Sequence, residues 1–237
     1  VARVNGLANT VHVLQGRIEE VEVPEPVDLL VSVFTGNLLY SEDLLPSLFH
    51  ARDRYLRTGG QMVPNRAELC VTAVEAHEVH GDRIGRWSSS RPGGFDFSLV
   101  RRFMANVPIT ASRDAAPLRR LSAPATVSSV DLTKAADADC RGLASVTIER
   151  DGICHGVLGW IRIQLGEAWL STDLEAPPVH WRPVLLPVDE PFEVRSGMEL
   201  EIKLDRPAGG DWTWAVRGSF GERRHSSFLS HIDLSDR

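Results

Sequence analysis

Residues 27–60 constrain the fold of this chain more than any other stretch. They open with a short apolar run, Val27–Val31, of the kind that a strand buried on both faces needs. The run breaks at residues 35–37 (TGN), because glycine and asparagine accept backbone angles that other residues avoid. A helical pattern then follows over residues 44–55, and the glycine pair at residues 59 and 60 predicts its end. A buried strand, a glycine loop and a helix make one half of a doubly wound α/β unit.

The loop at residues 32–42, SVFTGNLLYSE, is the predicted functional region of this unit. In doubly wound folds, ligands bind at the carboxyl ends of the strands, and this loop follows the strand directly. Ser41 is the predicted N-cap of the helix, because a serine hydroxyl can accept a hydrogen bond from the first free backbone amides. Glu42 then has a purely structural explanation, since the helix dipole favours an acidic residue in the first turn. That explanation stays open beside a functional one.

The bulk composition limits the class of protein. The chain has 237 residues, of which 43% are hydrophobic and 24% are charged, which is ordinary for one large globular domain or two small ones. Its net charge of -6 argues against a nucleic-acid partner, and a mildly acidic surface suits a basic substrate. No apolar run approaches the roughly 18 residues of a membrane span, and no signal peptide opens the chain. We therefore predict no membrane association.

The cysteines and histidines do not suggest a metal site. Three cysteines, Cys70, Cys140 and Cys154, lack the spacing of metal ligands. Their number and spacing predict buried thiols in a reducing cytoplasm. His77 and His80 stand three apart in a strand-like segment, where they would point to opposite faces and lie on the surface.

The pattern of the chain changes after residue 61. Short apolar and β-branched segments separated by Gly, Pro, Asp and Ser indicate an antiparallel barrel or sandwich. The predicted strands are residues 67–79, 144–148, 155–165, 184–186, 198–204 and 212–220. At the other end, the chain does not begin with Met, and its opening VARVNGLANTV is typical of a helix cut within its length. That opening predicts a fragment.

The loop at residues 32–42 and the helix after it resemble one family. The loop is similar to the double-glutamate loop of the protein arginine N-methyltransferases, commonly S-E-W-M-G-Y-x-L-x-Y-E, and residues 44–60 continue the match. Val33 stands where the family has its first catalytic glutamate, and Phe34, Thr35 and Asn37 also depart from the pattern. Glu42 keeps the second glutamate. The resemblance therefore implies that Glu42 is a catalytic carboxylate.

The resemblance also implies a cofactor, S-adenosyl-L-methionine. The segment GRIEEVE at residues 16–22 is similar to the family segment that contacts the adenine, which would make Glu19 an acceptor for the adenine amino group. A solvated acidic turn is the open alternative. The residues that the resemblance implies for cofactor binding are Arg17, Ile18, Glu19, Ser32 and Leu44. The glycine-rich loop that opens a complete cofactor domain is not in this sequence, so we expect the chain alone to lack most of the cofactor site.

Two further segments resemble the same family. Residues 178–181, PVHW, are similar to its T-H-W loop, and the resemblance implies that His180, Trp181 and Tyr40 bind the substrate. A structural histidine–tryptophan pair in a barrel is the alternative. Residues 94–104 are similar to a helical arm that, in the family, docks on a second subunit and forms a homodimer. The alternative is that the apolar face of this arm packs on its own barrel.

Together these similarities imply an α/β plus all-β fold. Residues 1–64 would form the C-terminal half of a Rossmann-like methyltransferase domain that binds S-adenosylmethionine. Residues 65–237 would form an antiparallel β-barrel for substrate binding and dimerisation, with the helical arm at about residues 86–108.

The chemistry of the acceptor separates two hypotheses. A guanidinium group is planar, protonated and weakly nucleophilic, and two carboxylates can grip it through charge-assisted hydrogen bonds. Val33 cannot supply one of them, and Asp43 is a poorly placed substitute beside Glu42. We therefore predict a methyltransferase with weakened or altered acceptor chemistry, acting on an arginine-containing protein or on a small-molecule nitrogen acceptor that needs one carboxylate. The second hypothesis is a non-catalytic, dimerising relative that keeps the fold as a binding surface.

Overall fold

The computed structural model describes residues 1–89, 91–111 and 117–230. Position 90 of the predicted arm and residues 112–116 and 231–237 of the predicted second domain lie outside the described residues. No helix in the described ranges is long and apolar enough to cross a membrane.

The first part of the chain is a strand–helix–strand unit. Strand β1 (Val27–Val31) pairs in parallel with β2 (Leu56–Val63), and helix α1 (Leu45–Tyr55) connects them. The helix forms because its apolar residues recur at spacings of three and four, which places Leu45, Leu48 and Phe49 on one buried face. The predicted strand, loop and helix are therefore confirmed.

Three details of that prediction are wrong. Strand β1 is largely exposed, with 48% of Leu29 and 66% of Val31 accessible, since β2 is its one partner among the described strands. The glycines at residues 59 and 60 lie inside β2, and α1 already ends at Tyr55. Ser41 does not cap α1, because the next two residues have left-handed backbone angles and delay the helix start to Leu45.

The second part of the chain is antiparallel, as the sequence predicts. Its strands are β3 (Arg66–Glu75), β4 (Ile109–Thr110), β5 (Arg119–Arg120), β6 (Ala125–Asp131), β7 (Cys140–Thr147), β8 (Gly152–Leu165), β9 (Ala168–Ser171), β10 (Val184–Val194), β11 (Glu199–Arg206), β12 (Thr213–Gly218) and β13 (Gly221–Ser226). One sheet has the strand order β4-β10-β8-β3-β5, with β6 also on β3 and β9 also on β8, and the other has the order β13-β12-β11-β7. Among the described strands, no ladder joins the two sheets into a closed barrel.

One apolar core joins the two parts. Leu38 and Leu48 from the first part belong to the same buried cluster as Ile161 from the larger sheet and Trp214 from the four-stranded sheet. Arg52 of α1 strengthens this contact, because its buried guanidinium donates to the carbonyl oxygens of Leu132 and Ala135 in the turn after β6. The helix is thereby fixed against the β part. The predicted division at residue 64 stays a prediction.

The segment between β3 and β4 carries two short helices. These are α2 (His77–Arg83) and α3 (Val100–Met104), so the predicted arm has a single five-residue α-helix within its described residues. His80 is buried on α2, and the prediction of a surface strand position for it is wrong because the strand ends at Glu75. Arg101 ties α3 to β10 through an ion pair with Asp189 at 2.7 Å.

Candidate functional site

The loop at residues 32–42 is a tight turn anchored in the core. Gly36 and Leu39 form an isolated bridge, and a Cβ at Gly36 would lie 2.5 Å from the carbonyl oxygen of Ser41, so only glycine fits there. Leu38 and Leu39 are fully buried and fix the turn against the sheets. The hydroxyl of Ser32 accepts a hydrogen bond from the amide of Phe34 (3.0 Å), so it supports the loop itself.

A second loop, at residues 178–182, docks on this turn. The indole Nε1–H of Trp181 donates to the carbonyl oxygen of Thr35 (2.8 Å), and the amide of Arg182 donates to Oδ1 of Asn37 (2.9 Å). The ring of His180 lies on Trp181, with centroids 4.0 Å apart. The fold thus brings together the two loops that the sequence singles out, although more than a hundred residues separate them.

The predicted site residues do not all share one cavity. Glu42 is exposed at the rim of a cleft that also contains Asn37, Thr110 and Trp212. Trp181 instead lines a neighbouring cleft built mainly from prolines and apolar side chains. Asn37 lies between the two, because its side chain holds the second loop and lines the first cleft. The arrangement places an exposed carboxylate on one side and an aromatic pair on the other.

Tyr40 lies deeper than a substrate contact needs. Its hydroxyl is hydrogen-bonded to Oγ of Ser128 (2.6 Å), and burial raises the pKa of the phenol to about 12. Its ring meets Trp212 edge-on, with centroids 6.4 Å apart. Tyr40 therefore supports the wall that carries Trp212, and its predicted role in binding substrate stays a prediction.

Asp43 is paired with Arg206, a contact that the sequence analysis did not predict. Its carboxylate accepts two hydrogen bonds from the guanidinium of Arg206, at 2.8 and 2.9 Å, and a third from the amide of Gly209 (2.7 Å). The hydrogen bond from Arg206, followed by that from Gly209, lowers the pKa of Asp43 although partial burial opposes the shift. Asp43 is thus unavailable as a second carboxylate for an acceptor. The one feature that could have indicated this pairing is a charged residue, Arg206, at a buried position of β11.

The segment that carries Glu19 lies against α1. The hydroxyl of Ser47 donates to Glu19, and Arg17 approaches the same carboxylate at 3.6 Å. The hydrogen bond from Ser47 lowers the pKa of Glu19 most, and the charge of Arg17 adds to it. Glu19 lies in a turn and is partly exposed, so its predicted contact with the adenine and the alternative of a solvated acidic turn both stay predictions. Leu44 directly precedes the helix start and is half-buried.

Tyr55 provides a test of how this segment is held. Its hydroxyl donates to the carbonyl oxygens of Ile18 (2.9 Å) and Val21 (2.7 Å). We expect Tyr55→Phe to loosen the segment by about 1 kcal/mol, because both carbonyls lose their donor. Hydrogen exchange at residues 20 and 21 measures this loss. Tyr40→Phe removes a hydroxyl bonded elsewhere and is the control; equal exchange in both variants would contradict the expectation.

The sequence matches one protein family over most of its β part. The family described as Arginine methyltransferase oligomerization subdomain matches residues 65–209. Protein arginine N-methyltransferase 2 of Xenopus tropicalis is 30% identical over 92% of this chain and 54% of its own length. Protein arginine N-methyltransferase 1 of Schizosaccharomyces pombe is 26% identical over 89% of this chain and 63% of its own length. The chain spans about half the length of the curated relatives it matches.

Solved structures share the fold. One is the Trypanosoma brucei PRMT1 enzyme–prozyme heterotetrameric complex with AdoHcy, with a TM-score of 0.81 and 21% identity over 95% of this chain and 76% of that one. Another is Arabidopsis thaliana protein arginine methyltransferase 10 in an open conformation, with a TM-score of 0.73 and 18% identity over 95% of this chain and 78% of that one. Their likeness extends over both the strand–helix–strand unit and the two sheets.

Proposed function

Because the chain belongs to the protein arginine methyltransferase family, we propose that it is the acceptor-binding and oligomerising part of an S-adenosylmethionine-dependent methyltransferase with altered acceptor chemistry. One observation carries this proposal. The loop at residues 178–182 docks on the loop at residues 32–42, and this contact leaves Glu42 exposed at the rim of an adjoining cleft. A carboxylate in that position can orient a protonated nitrogen acceptor.

The acceptor chemistry follows from the number of carboxylates. Val33 offers an exposed apolar side chain in the place where the family pattern has a glutamate, and Asp43 is held by Arg206. Glu42 is then the single carboxylate that the loop presents to an acceptor. A guanidinium gripped from one side keeps more rotational freedom and more of its charge, so transfer to arginine is slowed. An arginine-containing protein is the first candidate acceptor, and a small molecule with a less basic nitrogen is the second.

The methyl donor is proposed from the family and from the segment on α1. Glu19 fits the adenine end of S-adenosylmethionine, since a half-exposed carboxylate with a lowered pKa is a good acceptor for an amino group. Arg17 and Ile18 flank it, and Ser32 and Leu44 would bind the cofactor from the two ends of the loop. When bound, the cofactor supplies the methyl group. The chain's own part is to hold the adenine at Glu19 and the acceptor at Glu42.

Oligomerisation is proposed through the arm. Phe95, Phe97 and Leu99 are exposed on the segment before α3, and Phe228 and Leu229 are exposed on the short turn that follows β13. Exposed aromatic and aliphatic side chains on one chain favour association with a second subunit. The Trypanosoma neighbour is a heterotetramer, and for this chain we propose a homodimer.

Glu42→Gln tests the proposed acceptor site. We expect the variant to bind an acetylated and amidated Gly-Arg-Gly peptide about tenfold more weakly than the unmodified chain, because it loses a charge-assisted hydrogen bond. Calorimetric titration measures the affinity. Glu167→Gln removes an exposed carboxylate from the turn between β8 and β9 and serves as the control. Equal affinity of all three proteins would refute the assignment of Glu42.

Val33 also favours a second candidate function, a non-catalytic relative that uses the fold for binding. The two candidates differ in turnover, not in affinity. Labelled S-adenosylmethionine, incubated with the protein and the same peptide, separates them. Transfer of label to the peptide supports the methyltransferase, and peptide binding without transfer supports the binding protein.

A further inference from the structure

The backbone around Glu42 is in an unusual conformation. Glu42 has φ 71° and ψ 0°, and Asp43 has φ 54°. The left-handed region is unfavourable for residues with a Cβ, and two such residues in succession are rarer still. A turn of this kind persists only when the surrounding contacts over-determine it.

Those contacts come from Arg206 on β11. Arg206 is 7% exposed, and its guanidinium binds the chain on both sides of Glu42. Nη1 donates to the carbonyl oxygen of Tyr40 (2.7 Å), and Nη1 and Nη2 donate to the two carboxylate oxygens of Asp43 (2.8 and 2.9 Å). A single rigid fork thus fixes the residues at positions 40 and 43, and the left-handed turn between them is the segment that carries Glu42.

The cleft adds a second reason for this pairing. Arg206 lines the same cleft as Glu42 and Trp212, so an unpaired Arg206 would place a positive charge beside any cationic acceptor. Asp43 neutralises that charge by a bidentate contact, and Gly209 completes the carboxylate's hydrogen bonds. Because Arg206 pairs with Asp43, the carboxylate of Glu42 at the rim of the cleft has no cationic partner within the turn.

We propose that Arg206 and Asp43 are positioning residues that hold Glu42 in its left-handed turn and direct its carboxylate to the acceptor. This inference rests on the proposed function, in which Glu42 binds the acceptor. Arg206 acts through Glu42 and not by its own contact with the acceptor. The effects of removing Arg206 and removing Glu42 should therefore overlap instead of adding.

A double-mutant cycle on the full chain tests the proposal. The variants are Arg206→Gln, Glu42→Gln and the two combined, and the probe is the acetylated and amidated Gly-Arg-Gly peptide. We expect each single variant to weaken binding about tenfold and the double variant to weaken it no further. Arg217→Gln is the matched control, since it removes an exposed, ion-paired arginine from the neighbouring strand β12 and should leave the affinity unchanged.

A second readout separates failure of this inference from failure of the proposed function. Backbone scalar couplings at residues 42 and 43, measured by NMR, report the left-handed angles without any ligand. We expect Arg206→Gln to abolish them and Asp43→Asn to preserve them in part, because asparagine tolerates left-handed angles and keeps an oxygen for Gly209. Unchanged couplings in Arg206→Gln, or additive losses of affinity, would overturn the positioning role. If Glu42→Gln alone leaves affinity unchanged, the proposed function fails and the couplings still decide the positioning.

Discussion

Replacing Val33 with glutamate is expected to tighten the binding of an arginine peptide to this chain by about tenfold to about a hundredfold. The reason is the geometry of the guanidinium, which offers a planar fork to two acceptors at once. Glu42 provides one carboxylate, and a glutamate at position 33 would supply the second. Charge-assisted hydrogen bonds of this kind each stabilise a complex by about 1.5 to 3 kcal/mol.

The fold should accept this substitution. The side chain of Val33 is 64% exposed, and the hydrogen bond at this residue runs from the amide of Thr35 to the backbone carbonyl of Val33, which a change of side chain leaves in place. Surface replacements of this type alter the free energy of unfolding by only about 0.5 kcal/mol. A change in affinity would therefore report on the acceptor site and not on folding.

Leu29→Glu is the control for Val33→Glu. Leu29 is an exposed apolar residue on β1, the strand that precedes the loop, so this variant adds the same charge nearby without restoring the family's loop pattern. Calorimetric titration with the acetylated and amidated Gly-Arg-Gly peptide measures both. If the two variants gain affinity equally, the effect is a general attraction of charges. If Val33→Glu gains none, position 33 does not face the acceptor. If the protein transfers methyl groups, the same substitution should raise the rate of transfer to arginine.

The local pattern of the sequence predicted the elements around the site. Strand β1, the glycine loop and α1 are encoded by adjacent residues, so a window of about thirty residues was enough to find them. The docking of the second loop on Asn37 and Thr35 could not come from such a window, because it joins segments far apart in the chain. It was anticipated only through the resemblance that both loops bear to one family.

Long-range contacts explain what the sequence analysis missed. Ser41 has the residue type of an N-cap, but Arg206 binds Tyr40 and Asp43 and imposes a left-handed turn where the helix was expected to start. His80 lies in a segment with strand-like composition, but β3 ends before it and a short helix places its ring in the core. In the first case a residue that is distant in sequence decides the local conformation, and in both cases the local propensity is overridden.

Three buried histidines surround one irregular stretch of β10. His80 donates from Nε2 to the carbonyl oxygen of Val188 (2.9 Å), and His155 on β8 packs edge-on against His80. His225 on β13 stacks on Trp214 and lies 3.4 Å from the amide of Asp189, through Nε2. Burial is the main cause that lowers the pKa of all three, and for His225 it lowers the pKa to about 4.

The charged neighbours of these histidines do not reverse the direction of their pKa shifts. Asp189 faces His225 and raises its pKa, while Arg223 on the same strand lowers it. Arg101 opposes the charged form of His80, and Asp189 favours it. His155 is disfavoured as a cation by His80 and His77, and Glu75 offsets this in part. Desolvation is the largest cause in each case, so neutral rings are the stable form in the folded chain.

The folded chain is therefore expected to lose stability as the pH falls below about 6.5. The unfolded chain takes up protons on these rings near their ordinary pKa of about 6.5, whereas the folded chain keeps His225 neutral until about pH 4. Stability due to neutral His225 is thus fully present above about 6.5 and is lost as the pH approaches 4. The difference between the unfolded and the folded pKa of His225 corresponds to roughly 3 kcal/mol in the free energy of unfolding. About 2 kcal/mol of this stability is lost by about pH 5.

Urea unfolding at about pH 7.5 and about pH 5 measures this loss, and His225→Phe identifies its source. Phenylalanine keeps a ring against Trp214 but takes up no proton, so the free energy of unfolding of this variant should depend less on pH by about 2 kcal/mol over the same range. His12→Gln removes an exposed histidine and should retain the full pH dependence. The absolute stability of His225→Phe is not the readout, because the variant also loses the acceptor for the amide of Asp189. If the free energy of unfolding of His225→Phe depended on pH as steeply as that of the unmodified chain, His225 would be protonated in the folded protein. The lowered pKa of His225 would then be wrong.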